Sequence, residues 1–357
     1  MRKSRVLAGI ISGVLFVSGF GACATPQDAP QTETSEGEKL RIVTTIFPQY
    51  DFAREIAGEY AEVSMLLKPG MESHSYEPTP RDIKVIQSSD LFIYVGGAND
   101  TWIEEILASM GEEKPDTLRL LDCVETVTEE IVEGMEHTHK DDVRHDHSQD
   151  HQDHHDDHQD HHDRHHEAEH GHSHGHHDHD KEEMDEHVWT SPRNAIEIVK
   201  TMTSIFNEKD AENAKIYAEN SEAYIAKLEA LDASFKEVVS AARVHIMIFG
   251  DRFPFRYFAD AYGLTYFAAF TGCSTETEAS AATVAFLIDK VKEEMISSVF
   301  VIEFSNGKIA DSICEATGAK KLSMHSCHNL SKDEMEAGET YLSLMTKNVE
   351  ALREALY

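Results

Sequence analysis

LRIVTTIFPQYDFAREIAGEYAEVSMLL, residues 40–67, decides the fold. Leu40 to Ile46 reads as a buried strand, Phe47-Pro48 opens a helix with Phe52 and Ile56 on one face, and Ala61 to Leu67 reads as a second strand. The same grammar continues outward. Thr79-Pro80 is a cap residue followed by proline at the first helical position, with Ile83 and Ile86 at helical spacing behind it. Leu91 to Val95 is an apolar strand closed by Gly96-Gly97, and Asp100 caps a helix over Thr101 to Met110. Strands alternating with helices predict a parallel sheet covered on both faces.

Further along, Ser191-Pro192 starts another helix. Tyr217, Ser221, Tyr224, Leu228, Leu231, Phe235 and Val238 then form one apolar seam, predicting a helix from about Asp210 to Ala242. At 1.5 Å per residue it would be on the order of 50 Å long, enough to run the length of a two-lobed protein. Alternation resumes after it: strands at Val244–Phe249, Tyr266–Phe270, Ser298–Glu303 and Leu322–Met324, helices at Phe255–Ala261, Ser280–Glu294 and through Cys314 to Gly318, and a last helix from Ser331 onward. The fold class is α/β, with two lobes, each a parallel sheet flanked by helices, joined by a long backbone helix. The boundaries expected are a signal segment at 1–22, a tether at 23–39, a first lobe at 40–190, connecting helices at 191–243 and a second lobe at 244–357.

The N-terminus has a basic head (Arg2, Lys3, Arg5), a short apolar run from Val6 to Phe20, and small residues leading to Cys23. This is a secretory signal, too short for a bilayer-spanning helix of about 20 apolar residues. Ending at a cysteine is the pattern of a bacterial lipoprotein signal, which makes Cys23 the expected lipidation site and places the protein on the outer face of the cytoplasmic membrane or in the periplasm. Residues 24–38 are polar and read as a flexible tether.

The formal charge of −34 argues against nucleic acid and for cations as partners. Eighteen of the 23 histidines fall within residues 137–179, mixed with Asp and Glu, where only Val143 and Ala168 are apolar. Such a segment has too little to bury and reads as a disordered loop, with His154, His155, His161, His162, His172, His174, His176 and His177 among its many weak metal ligands. Four cysteines besides Cys23 carry no CxxC spacing; the exported compartment allows a Cys273–Cys327 disulfide, and Cys314 reads as a buried thiol.

Five histidines remain: His74, His187, His245, His325 and His328. His74, His187 and His325 lie at the edges of regular elements, where ligands of open α/β sheets gather. Imidazole suits zinc, which takes about four ligands. His245 opens a strand and is assigned to structure.

At these residues the chain resembles the metal-binding solute receptors of ABC importers, the ZnuA/TroA-like group for zinc and manganese. The resemblance covers nearly all of residues 40–357. HSYEPTPRDI, LFIYVGG and Trp102 are similar to the group's first-lobe signature, and EHVWTSPRNA to its second histidine motif. Tyr262-Gly263-Leu264 and Glu303-Phe304-Ser305 match second-lobe landmarks, and an acidic His-rich insert is typical of zinc-binding members. The resemblance implies a helical-backbone receptor with the metal between two lobes, the first ligand at His74, the second at His187 and the fourth at His325. The third falls on Arg252, which stays protonated and cannot bind a metal. Asp251, Glu303 or His328 would then complete the set, or Cys327 if it is not in a disulfide. The expected core is His74, His187 and His325 with a water or carboxylate. Three nitrogens lean toward Zn2+, whereas Mn2+ favours carboxylate and water.

The expected function is extracytoplasmic zinc capture for an ABC permease by a lipid-anchored monomer. The His-rich loop would collect zinc at low affinity. The alternatives are a manganese receptor, or a metal-buffering surface lipoprotein or adhesin without an importer. A zinc hydrolase is disfavoured by the lack of an HExxH motif, and the chain has no GxxxxGK[ST] nucleotide loop.

Overall fold

The computed structural model describes residues 39–72, 76–135, 183–274 and 278–357. The signal segment, Cys23, the tether and the histidines of 137–179 lie outside the described residues.

Strands β1 (Leu40–Thr44), β2 (Ala61–Met65), β3 (Leu91–Tyr94) and β4 (Asp116–Arg119) form a parallel sheet in the order β2-β1-β3-β4. Helices α1 (Phe47–Ala57), α2 (Pro80–Gln87) and α3 (Thr101–Met110) connect them. Thr79 caps α2 as its sequence implies: its hydroxyl accepts from the Asp82 N–H, and the Asp82 carboxylate accepts from the Thr79 N–H at 2.8 Å. Strand β4 was not expected; its polar DTLR sequence buries only Leu118 well.

Helices α4 (Pro192–Lys209) and α5 (Ala214–Ala241) follow, then the second lobe. Its strands β5 (Ile246–Phe253), β6 (Thr265–Thr271), β7 (Ser298–Val301) and β8 (Lys320–Ser323) are parallel in the order β6-β5-β7-β8, with α6 (Arg256–Tyr262), α7 (Ala281–Glu293) and α8 (Lys308–Thr317) between them. The chain closes with α9 (Lys332–Ala337) and α10 (Tyr341–Leu356). The single last helix expected from Ser331 is thus two, because Gly338 turns left-handed (φ +73°) and Thr340 caps a fresh start.

The two sheets have the same topology. In each, chain order reverses between the first and third strands, and ligands of such sheets sit beyond the carboxyl ends at that reversal. Helix α5 ties the lobes together. Tyr224 on its buried seam packs on Phe52 of α1, while Phe235 packs on Phe258 and Tyr262 of α6. Each buried large apolar side chain stabilises by roughly 1.5–3 kcal/mol. The helix has 28 residues, about 42 Å, shorter than expected. Asp210 breaks the run from α4 by accepting from Asn213 and from the Tyr217 hydroxyl.

One local departure matters for the site. In β5 the pairing steps from Phe249↔Ala268 to Arg252↔Phe270, so β5 carries one extra residue. This bulge extends the strand beyond the expected end at Phe249 and re-aims Asp251 and Arg252.

Candidate metal centre

The carboxyl ends of both sheets face one cleft. Glu72, His187, Arg252, Glu303 and His328 line a cavity there with Met71, Gly272, Ser326 and Asn329. The space is about 20 Å³, room for one water-sized guest rather than an organic ligand.

His187 is fully buried, on the segment entering α4. Asp185 accepts from its backbone N–H at 2.8 Å and lies 3.2 Å from its Nδ1. That contact leaves Nε2 as the nitrogen a metal would take, the usual arrangement of carboxylate, histidine and metal. Burial opposes a charge on this ring, but the carboxylates of Asp185, Glu186 and Glu129 raise its pKa above the ordinary value. Gly272 makes room for the ring: a Cβ there would lie 2.9 Å from the Phe253 carbonyl and 3.0 Å from His187 Cε1. The Tyr257 hydroxyl donates to the Asp185 carbonyl at 2.8 Å, so the ligand segment is also fastened to α6.

His328 and His325 sit on one short loop and face different ways. Glu303 organises the loop by accepting from the Ser326 N–H and hydroxyl and from the His328 N–H at 3.2 Å. The Trp189 indole donates to the Ser326 carbonyl, and Asn348 clamps both the N–H and the carbonyl of His325. Between the two histidines, Cys327 adopts φ +62°, uncommon for a residue with a side chain. His328 consequently faces the cavity with its ring centre 5.4 Å from that of His187. His325 does not line the cavity. The Cys327 N–H donates to its Nδ1 at 2.9 Å, and its Nε2 faces Glu334 at 3.7 Å. The Glu334 carboxyl is held down at about 2, chiefly by His325.

His74 lies outside the described residues; Glu72, two positions before it, lines the cavity. Asp251 is buried beside it, its carboxylate accepting from the Arg252 and Ile302 N–H groups, and burial raises its pKa. Arg252 reaches into the cavity and pairs with Glu72. His245 is exposed at the foot of β5, away from the cleft. The expected Cys273–Cys327 disulfide is not formed: both are free thiols. Cys327 is buried in the core beneath the loop, whereas the Cys273 amide is held by Glu129 across the cleft segment. Burial raises the pKa of both thiols. Cys314 is half-buried, less than expected.

Among the described residues no three His, Cys, Asp or Glu side chains converge as a metal site, and the His187–His328 pair is the candidate donor set. Two imidazoles on one tetrahedral ion, at metal–nitrogen distances of about 2.0–2.1 Å, would have ring centres roughly 5 Å apart. Edge-to-face packing alone also produces such spacing. A polar, ion-sized cavity around the pair favours the metal.

Fold and cavity together define a two-lobed binding protein with its site between parallel sheets. The chain belongs to the family described as zinc-uptake complex component A, periplasmic, matched over residues 42–355. It is 32% identical over 342 residues to the high-affinity zinc uptake system protein ZnuA of Bacillus subtilis, covering 96% of this chain and 94% of that one. It is 30% identical to the zinc-binding lipoprotein AdcA of Streptococcus pneumoniae, over 93% of this chain but only 59% of the relative. The crystal structure of the Zn(II)-bound ZnuA-like domain of pneumococcal AdcA superposes with a TM-score of 0.66 at 26% identity, covering 89% of this chain and 99% of that domain.

Proposed function

We propose that the protein is an extracytoplasmic receptor that captures zinc between its lobes and delivers it to an ABC permease. The observation that carries this reading is the pairing of His187 and His328 in a small cavity at the carboxyl ends of both sheets. We assign the ligands as His187, His328 and, from the first lobe, His74, with water or a carboxylate in the remaining position. His325 is a loop residue in this assignment. Glu303 positions the loop, and Asp185 positions His187. Neither is set up as a catalytic base, since both are committed to those contacts, so the reading is a receptor and not an enzyme. Anchoring through Cys23, a monomeric state and collection of zinc by the His-rich loop complete the proposal. Among the described residues no helix is long and apolar enough to cross a membrane.

The roots of the loop support such a role. Thr128 and Met184 form an antiparallel bridge, the Glu129 N–H donates to the Glu183 carbonyl, and the Asp185 N–H donates to the Val127 carbonyl. The insert therefore joins the body only a few residues before His187.

These paired roots also allow residues 137–179 to be deleted. Titration of the metal-free deletion protein by calorimetry should find one tight zinc equivalent. Tight zinc binding only in the chain that keeps the loop would overturn the receptor reading.

A further inference from the structure

We propose that Arg252 determines which metal the cavity takes, by holding the Glu72 carboxylate out of the ion's coordination. This deepens the receptor reading and rests on it.

The two residues come from different lobes and meet in the cavity, with Arg252 Nη1 3.0 Å from Glu72 Oε1. Arg252 is fixed by the β5 bulge, and its Nη1 also lies 3.5 Å from the Ser274 carbonyl. The Glu72 backbone is fixed through its neighbour, because the Asn329 amide donates to the Met71 carbonyl at 2.9 Å. The Arg252 side chain is only 15% exposed, whereas that of Glu72 is 38% exposed and is held by the ion pair.

A guanidinium keeps its charge, so a dication entering this cavity always meets it. Glu72 offsets that repulsion by pairing with Arg252. The same pairing occupies the carboxylate that lines the cavity from the first lobe. His187 and His328 are then the donors facing the ion, and a nitrogen-rich set suits zinc, whereas manganese prefers carboxylate oxygen. Removing the guanidinium ends this ion pair, lets the Glu72 carboxylate compete for an incoming ion and shifts the preference toward the harder metal. A purely structural clasp would behave differently, changing stability without changing the ratio of metals.

The full chain reports on its own site. It has two tryptophans, and the ring of Trp189 lies 5.5 Å from His187 and 5.1 Å from His328. In a Trp102→Phe background, Trp189 fluorescence follows filling of the cavity without deleting any part of the protein. Zinc and manganese dissociation constants are measured in separate titrations with buffered metal. Arg252→Ala should raise manganese affinity relative to zinc by roughly ten- to a hundredfold, the worth of one charge-assisted contact. Arg252→Lys, which keeps a cation opposite Glu72, should hold the original ratio. Arg252→Ala combined with Glu72→Gln should return to within about twofold of it. Arg252→Gln takes the place of Arg252→Ala should circular dichroism show that the alanine variant does not fold. An unchanged ratio in the neutral variants, or a gain that survives loss of the Glu72 charge, overturns the proposal while leaving the receptor reading intact. A parent protein whose Trp189 ignores zinc overturns both.

Discussion

Gln49 in the first lobe and Glu303 in the second do the same structural work with different charge. Gln49 Oε1 accepts from the Thr45 N–H, the Thr45 hydroxyl and the Ile46 N–H, tying off the end of β1. Glu303 accepts three donors from Ser326 and His328 beyond the end of β7. Gln49 is fully buried and neutral, whereas Glu303 is a carboxylate in the wall of the cavity. Two sheets of one topology thus contribute unequally. The first supplies a wall, and the second supplies an anionic frame that turns an imidazole toward the cleft.

Gln49→Leu leaves three buried donors without their acceptor and should destabilise the protein by roughly 3 kcal/mol in urea unfolding, with zinc affinity of the folded fraction little changed. Glu303→Ala also strips three donors of their acceptor and should cost comparable stability, but it should in addition weaken zinc about ten- to a hundredfold as the loop loses its frame. If both variants altered affinity alike, the distinction between wall and frame would be wrong. Asp185→Ala sharpens the account of His187. It should weaken zinc by roughly tenfold, with Asp185→Asn recovering part of the loss, as read by calorimetry.

The smallest expected effect lies where the lobes meet. Asp51 on α1 accepts from the Tyr341 N–H at the start of α10, and burial raises its pKa to about 6. The folded state therefore binds this proton more tightly than the unfolded chain does. The stability cost is absent below the ordinary carboxylate pKa of 3.8, grows between there and about 6, and is complete above it. Asp51→Asn should stabilise the protein at pH 7.5, with the gain fading by pH 4 in melts across that range.

Much of this architecture is legible in the sequence, because alternating strand and helix patterns survive any detail of packing. What escaped was set by tertiary context. The polar strand β4 has too little periodicity to announce itself. The β5 bulge is visible only once β6 is alongside it. At the site, Arg252 and the candidate histidines could be named from motifs, but orientation could not. His325 and His328 are three residues apart, and a left-handed turn at Cys327 decides which one faces the cavity. No pattern of residue types carries that information, since cysteine does not favour positive φ.

The most direct test sets these two histidines against each other. Zinc titrations of the 137–179 deletion protein would compare His328→Ala with His325→Ala, with unfolding curves as the control for loop damage. His328→Ala should lose at least about a hundredfold in zinc affinity, while His325→Ala should keep the tight site to within roughly tenfold. A tight site that survives loss of His328 and disappears with His325 would contradict it.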